Sequence, residues 1–374
     1  MIYGKRLVSI RDRTIGQRRG GYMAKMSPQT RAGSSYVPGD VEVFDVEIAQ
    51  CAAFLRRATA WWPSPYANFG GLVAAAEHAQ STLPQQLLDA VCGFGRRRYA
   101  GALLIRNLPL PPLPATPVEA FGLSKREAVG TELLLVAIGR LLGMPFSFVE
   151  WESQLIVHNK FPIREHAGFQ FGSGSVEFLL HTETPFRDFS PDYVALFCLR
   201  SDPDGAAVTG LCNLGKVMAL QSAASEPLFH TASFAFLTDN PVVTVGDRGM
   251  TEPKPLVIER DGVVQYEYVD DLVGTSEEAE NALQRLRHDI HRHRCDVNLQ
   301  AGDLLIIDNS HMIHGRTAYN PRYDGRDRWL QRLLISKRLE PLRLAASHYL
   351  IHDRCIGGYP TFYRQLLDSL NPSH

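Results

Sequence analysis

The sequence has few of the features that mark membrane proteins, disulfide-stabilised proteins or nucleic-acid-binding proteins. Its 374 residues contain no apolar run near the ~20 residues that a membrane-spanning helix needs. The six cysteines are scattered, without a C-x-x-C pair, which argues against a zinc knuckle or a disulfide framework. The formal net charge is −1, so a nucleic-acid partner has no global electrostatic support.

The N-terminus also lacks the apolar segment of a secretory signal. Because the cysteines suggest no disulfides, we expect a protein of the reducing cytoplasm. Residues 1–40 are basic and glycine-rich, with Asp12 as the only acid before Asp40. This composition predicts a flexible tail, with a transit peptide or a phosphate-binding arm as the alternatives. Residues 41–374 are enough for one large domain with a substantial core.

Short apolar and alternating segments dominate the chain after residue 40. Helices are predicted over 48–59, 84–94, 124–142, 217–224 and 277–294. Strands are predicted over 41–46, 101–108, 153–158, 175–181, 193–199, 206–211, 233–237, 242–245, 256–258, 263–268, 303–308 and 329–336. Helices followed by many short strands indicate a mainly β fold, a sandwich or barrel with helices packed against one side.

The segment 179–183, with the sequence LLHTE, carries the first sign of a catalytic site. In an extended strand the side chains of His181 and Glu183 project from one face, while Thr182 points to the other. One imidazole and one carboxylate are two parts of a facial two-histidine-one-carboxylate metal site. Because an isolated His-x-Glu is far more often a surface pair, the hypothesis needs a third ligand. His314, followed by Gly-Arg-Thr, is the candidate, on a strand that closes over the first.

Two arginines near the end of the chain are the second sign. Arg328 follows His314 by fourteen residues, and Arg332 shares its face of the predicted strand 329–336. Charged side chains on a buried strand are costly unless each meets an anion. They either pair with carboxylates of the protein or bind a carboxylate of a small molecule, which the guanidinium group matches with two parallel hydrogen bonds.

With these motifs together, the sequence resembles the clavaminate-synthase-like branch of the iron(II)/2-oxoglutarate-dependent oxygenases. The resemblance covers residues 101–337 and rests on His181-x-Glu183, on His314, and on the run 324–332 at its spacing. It implies a double-stranded β-helix (jelly-roll) core with buttressing helices, within a single oxygenase domain over 41–374.

The resemblance also implies a role for each of these residues. His181, Glu183 and His314 would bind Fe(II) and leave positions for the cosubstrates 2-oxoglutarate and O2. Arg328 would bind the distal carboxylate of 2-oxoglutarate. Thr209 lies where the family places a hydroxyl donor to that carboxylate, with an ordinary strand threonine as the alternative. The implied reaction decarboxylates 2-oxoglutarate to succinate and oxidises a substrate carbon.

The substrate is expected to be a free amino acid, because this branch includes hydroxylases of arginine, asparagine and lysine. Arg332 is predicted to hold its carboxylate. Gln154 is a candidate for its backbone, with core hydrogen bonding as the alternative. Glu267 and Asp270 belong to an acidic stretch that would suit a cationic side chain, or that forms a solvated loop before the helix at 277. A basic amino acid is therefore preferred, and asparagine-like, carrier-bound or pathway intermediates stay open.

Two other classes of protein are considered. A zinc hydrolase could use the same three ligands, but it has no need of Arg328 behind the metal. A metal-binding jelly-roll protein without this activity is the second alternative. Within the oxygenase class, hydroxylation, desaturation and ring closure are all open.

Overall fold

A computed structural model of the chain describes residues 40–51, 54, 66–97, 101–119, 129–148, 155–170, 172–185, 189–222, 225–236, 251–260, 262–339 and 349–351. These residues form a mainly β structure with helices on its outer surfaces. The tail predicted over 1–40, apart from Asp40, the predicted strand 242–245 and most of the predicted helix 48–59 lie outside the described residues.

The described elements are mostly short strands. The strands are β1 (Val41–Asp45), β2 (Ala102–Arg106), β3 (Met144–Phe148), β4 (His158–Lys160), β5 (Phe178–His181), β6 (Tyr193–Arg200), β7 (Thr209–Asn213), β8 (Phe234–Phe236), β9 (Val257–Arg260), β10 (Val263–Tyr266), β11 (Leu272–Gly274), β12 (Cys295–Val297), β13 (Leu304–Asp308), β14 (Met312–Arg316), β15 (Trp329–Ser336) and β16 (Leu350–Ile351). The helices are α1 (Phe69–Gln80), α2 (Gln85–Arg96), α3 (Glu132–Gly139), α4 (Leu214–Met218), α5 (Glu226–Phe229) and α6 (Glu277–His293), with 3-10 turns at Ile48–Cys51 and Arg164–His166.

Two sheets make up the body of the fold. The larger has eight strands in the order β1-β2-β13-β6-β15-β3-β16, with β4 also paired to β15. The smaller has four strands in the order β12-β7-β14-β5, all antiparallel. The pairs β8–β11 and β9–β10 form two small hairpin-like sheets. Strands far apart in sequence are therefore neighbours in both main sheets.

Strand β6 shows how the layers are organised, because its alternate side chains enter different cores. Leu196 and Cys198 face a core between the two main sheets, to which Leu211 and Met312 of the smaller sheet contribute. Phe197 faces the opposite core, which the helices near the N-terminus cover. A strand buried on both faces, with period-two alternation between two cores, belongs to the centre of a layered fold.

Helix α6 covers the outer face of the smaller sheet. Its buried side chains, including Leu283, Leu286 and Ile290, pack in one cluster with Ile313 of β14. Ser276 caps the helix, since its side chain accepts a hydrogen bond from the backbone N–H of Ala279 at 3.1 Å. The helix predicted over 277–294 is confirmed to within one residue.

Helix α3 begins later than the sequence pattern predicts. The expected helix over 124–142 is described from Glu132, and its predicted cap at Ser124 lies outside the described residues. Gly130, at φ 91°, breaks helical geometry two residues before the helix starts. The side chain of Glu132 accepts the backbone N–H groups of Val129 and Gly130 at 3.1 and 2.9 Å, so it fixes the helix start. None of the helices described is long and apolar enough to cross a membrane.

Candidate active site

Two strands of the smaller sheet bring the three predicted metal ligands together. His181 is the last residue of β5, and His314 of β14 lies directly opposite it in antiparallel register. Glu183 follows two residues later. The ligand atoms of the three residues all lie within 4.8 Å of one another, and Nε2 of His314 is 3.6 Å from Oε2 of Glu183. Among the described residues it is the one cluster of this kind that could hold a metal ion.

His181 is oriented and electronically prepared to be a ligand. Its Nδ1 lies 2.7 Å from the carbonyl oxygen of Leu179, which can only accept, so Nδ1 carries the hydrogen. Burial, with the neighbouring His314, lowers the pKa of His181 to about 4. The imidazole is therefore neutral at neutral pH and presents the lone pair of Nε2, the state that a metal ion requires.

Glu183 is charged although it is buried. Burial alone would raise the pKa of this carboxyl, but Arg332 and His314 overcome that effect and hold the pKa well below its usual range. Nη1 of Arg332 donates to Oε1 of Glu183 at 2.8 Å. Two imidazoles and one carboxylate, buried and facing one another, match the donor set that non-haem Fe(II) prefers.

Arg328 lies just before β15 and is buried. In the part of the chain that the structure describes, it has neither a hydrogen bond nor an ion pair. Burial lowers its pKa, and its charge also lowers the pKa of nearby Arg316 on β14, after the larger effect of burial there. The carboxylate of Asp202 favours its charged form but makes no ion pair with it among the described residues, so the hydrogen-bond donors of the guanidinium remain for a bound anion.

Thr209 of β7 pairs in register with Arg316, so the structure places it near the same region between the sheets. It is buried, and its hydroxyl has no hydrogen-bond partner among the described residues. Thr209, on the smaller sheet, and Arg328, just before β15 of the larger sheet, are thus both polar groups without a hydrogen-bond partner among the described residues.

Arg332, predicted to hold a substrate carboxylate, is in direct contact with Glu183, one of the three predicted metal ligands. Its guanidinium bridges Glu183 and His158, with Nη2 2.9 Å from Nδ1 of His158. His158 is itself buried and lies 2.8 Å from the hydroxyl of Ser147. A chain of contacts therefore runs from the interior of the larger sheet to the candidate metal ligand.

The structure argues against Asp270 as a substrate ligand. Its carboxylate accepts the hydroxyl of Tyr268 at 2.6 Å and lies 3.0 Å from Nε2 of His291 on α6. Glu267 is also engaged, in an ion pair of 2.9 Å with Arg260. Local strand pattern could not reveal the partners His291 and Arg260, because they come from other elements. The third substrate candidate, Gln154, lies outside the described residues.

Two polar residues near the site were not selected by the sequence motifs. Asn309, at the end of β13, uses its side-chain amide to bond both the backbone N–H and the backbone carbonyl of Glu183. Asp271 has a buried oxygen, Oδ1, without a hydrogen-bond partner among the described residues, and burial raises the pKa of this carboxyl. Its position in the acidic stretch was the available signal; nothing local marks Asn309.

Comparison with known proteins identifies the family. Residues 97–334 match the TauD/TfdA family, described as taurine catabolism dioxygenases. The chain belongs to this family and is an Fe(II)/2-oxoglutarate-dependent oxygenase. The resemblance to the clavaminate-synthase-like branch is confirmed by its relatives.

The relatives include oxygenases named for free amino acids. L-asparagine oxygenase of Streptomyces coelicolor is 31% identical, over 79% of this chain and 91% of that protein. Clavaminate synthase 2 of Streptomyces clavuligerus is 30% identical, over 72% of this chain and 85% of that protein. L-lysine 3-hydroxylase of Catenulispora acidiphila is 30% identical, over 70% of this chain and 75% of that protein. A solved asparagine oxygenase with Fe(II), 3-hydroxyasparagine and succinate superposes with a TM-score of 0.72, at 26% identity, over 83% of this chain and 99% of that one.

Proposed function

We propose that the protein hydroxylates an unactivated carbon of a free amino acid with a cationic side chain, with Fe(II) held by His181, Glu183 and His314. The observation that carries the proposal is the convergence of these three buried side chains within 4.8 Å, with the imidazole of His181 neutral and the carboxylate of Glu183 charged. The metal, 2-oxoglutarate and O2 supply the oxidation chemistry when bound. The residues of the chain hold and orient the reactants and exclude water.

We further infer that the two main sheets are the halves of a double-stranded β-helix, in one domain over residues 41–374. Side chains of both sheets fill the core between them, and helices cover the outer faces. In such a fold the ligands on the smaller sheet face Arg332 on β15, and Arg328 just before it, across the space between the sheets. This arrangement would enclose a small substrate.

Arg328 and Thr209 are proposed to bind the distal carboxylate of 2-oxoglutarate. The carboxylate would supply the anion that Arg328 lacks among the described residues, and the hydroxyl of Thr209 can donate to it. A zinc hydrolase with the same ligands has no use for this buried cation. The position of Arg328 therefore favours the oxygenase.

The substrate carboxylate is proposed to bind near Arg332, whose positive charge lies 2.8 Å from Glu183 and hence beside the metal position. Asp271 is proposed to bind the cationic side chain. Its buried oxygen lacks a described partner, and it follows Val269, whose backbone forms a bridge with His181. Burying an ammonium or guanidinium group against this carboxylate would satisfy both charges. Gln154 stays a prediction for the substrate backbone.

The experiment that tests the function measures succinate release with Fe(II), 2-oxoglutarate and ascorbate under air. Lysine, arginine, ornithine and asparagine are supplied separately, and each mixture is analysed by mass spectrometry. We expect succinate release that depends on a basic amino acid, which gains the mass of one oxygen atom. Oxidation of asparagine alone would contradict the cationic substrate, and absence of succinate from iron-loaded protein would contradict the oxygenase.

The same assay with Asp271→Asn tests the side-chain site. Asparagine keeps the size of the side chain but removes its charge, so we expect KM for the basic amino acid to rise about 10- to 100-fold. The requirement for 2-oxoglutarate should not change. Asp296→Asn, at the exposed position of β12, is the matched control. An unchanged KM in Asp271→Asn would remove Asp271 from the substrate site.

A further inference from the structure

The position of Glu183 in the chain raises the question of what holds it. Strand β5 ends at His181, and Thr182 still pairs with the carbonyl of Tyr268. The next residue but one, Thr184, has φ 55°, a left-handed conformation that β-branched residues rarely adopt. The chain therefore leaves the sheet at Glu183, and among the described residues no regular strand pairing fixes its backbone.

The side chain of Asn309 takes the place of a neighbouring strand. Its Oδ1 accepts the backbone N–H of Glu183 at 2.7 Å, and its Nδ2 donates to the backbone carbonyl of Glu183 at 3.2 Å. Nδ2 also donates to the carbonyl of Pro191 at 3.0 Å. Asn309 is 4% exposed, so water is not available to replace these bonds.

Asn309 also connects Glu183 to a second ligand. It lies five residues before His314 in the connection that joins β13 to β14. The backbone N–H of Asn309 bonds the carbonyl of Asp192 at 3.0 Å, just before β6. The connection that leads into β14, the strand of His314, thus also fixes the carboxylate residue from 126 positions earlier.

We propose that Asn309 is a positioning residue that sets where the Glu183 carboxylate lies relative to His181 and His314. Arg332 holds the carboxylate end of Glu183, and Asn309 holds its backbone end. The proposal rests on the Fe(II) site proposed above. Outer partners that orient metal ligands typically change metal affinity by 10- to 100-fold when they are removed.

A purely structural role for Asn309 is the competing explanation, and metal affinity separates the two. The test titrates Mn(II) into protein without substrate or 2-oxoglutarate and follows free Mn(II) by electron paramagnetic resonance. We expect Asn309→Ala to bind Mn(II) about 10- to 100-fold more weakly than the unaltered chain. Asn309→Asp keeps the acceptor for the N–H of Glu183 but loses both donors, and we expect it to lose affinity as well.

Asn213→Ala is the matched control. Asn213 is also a buried asparagine at the end of a strand of these sheets, and it accepts the backbone N–H of Lys216 at 3.1 Å. Its loss should lower the melting temperature without changing Mn(II) affinity. Melting temperatures of all variants show how much stability each one loses.

The outcomes are distinct. If Asn309→Ala is less stable but binds Mn(II) as tightly as the unaltered chain, the positioning role is overturned. If Asn309→Ala does not fold, the Mn(II) affinity of Asn309→Asp is used instead, and an affinity equal to that of the unaltered chain overturns the positioning role. Glu183→Ala should lose Mn(II) binding. Full binding by Glu183→Ala would overturn the proposed ligand set and the role of Asn309 with it, whereas full binding by the Asn309 variants alone would overturn only that role.

Discussion

Arg328 is the residue whose role can be separated most cleanly from folding. It is buried and has no ion pair among the described residues, and the nearby carboxylate of Asp202 offsets the desolvation cost of its charge only in part. Arg328→Met keeps an unbranched stem and removes the guanidinium group with its charge. We expect the 2-oxoglutarate requirement to rise at least about 30-fold, since losing one partner of a buried charged pair costs about 2–5 kcal/mol.

Stability provides the second readout for this variant. Without 2-oxoglutarate, Arg328→Met should be as stable as the unaltered chain or more stable, because the cost of burying this charge exceeds the attraction from nearby groups such as Asp202. The measurements are KM for 2-oxoglutarate and urea unfolding of the protein without ligands. A lower stability together with an unchanged KM would show that Arg328 pairs within the protein and does not bind the cosubstrate.

The residues of the site divide into those that local pattern can predict and those that it cannot. His181 and Glu183 share a face because a strand alternates, and His314 follows from its spacing to Arg328. Asn309 and Asp271 have no such signal. The role of Asn309 depends on a contact with a residue 126 positions away. Asp271 becomes a candidate only because its neighbour Asp270 has protein partners while Oδ1 of Asp271 has none among the described residues.

At the scale of the element, alternate side chains of β15 enter the two different cores on either side of the larger sheet. Leu330 lies in the core between the sheets, on the face that also carries Arg332, whereas Trp329 and Leu333 lie in the opposite core. This division of faces is the one that the sequence predicts. On the outward face, Gln331 joins a buried polar cluster with Glu132 of α3, at 3.1 Å.

Glu132 is expected to be important for stability, because it fixes the start of α3 and accepts several of the hydrogen bonds in this cluster. Besides two backbone N–H groups, its Oε1 accepts the hydroxyl of Tyr66 at 3.1 Å. Glu132→Gln places an amide donor among these donors, so we expect a loss of about 1–3 kcal/mol in the free energy of unfolding. Urea denaturation measures it, with exposed Glu259→Gln as the control, which should stay within about 0.5 kcal/mol. If both substitutions changed the free energy of unfolding by the same small amount, the cluster would accommodate the amide of Glu132→Gln without loss of stability.

Helix α1 and strand β14 are two of the elements whose ranges the sequence pattern did not predict, and the physical reasons differ. Helix α1 contains two adjacent glycines near its start, which lower helix propensity, and it depends on burial of side chains such as Leu72 and Val73 and on the Asn68 cap. Strand β14 is buried at all five positions, so it has no alternating pattern to detect. In both cases tertiary packing, which local sequence does not contain, decides the structure.

At the scale of the whole molecule, the order of strands is the part that sequence pattern could not supply. In the larger sheet, β13 lies between β2 and β6, although it comes about two hundred positions after β2. Composition and local pattern led to a sandwich or barrel with helices. The specific two-sheet arrangement came from the family resemblance, because long-range pairing leaves no local signature in the chain.

The same arrangement makes metal binding a property of the whole fold. Of the proposed ligands, His181 ends β5, Glu183 follows that strand and His314 lies on β14. They come together only when the smaller sheet is formed, so Fe(II) binds the folded chain and not the unfolded one. Binding at about 100 times Kd stabilises by about 2.7 kcal/mol, which should raise the melting temperature by a few degrees. Anaerobic Fe(II) followed by 2-oxoglutarate should therefore raise it in two steps, and a chelator should reverse both. Glu183→Ala should lose both steps and Arg328→Met only the second; a first step that survives in Glu183→Ala would place the metal elsewhere.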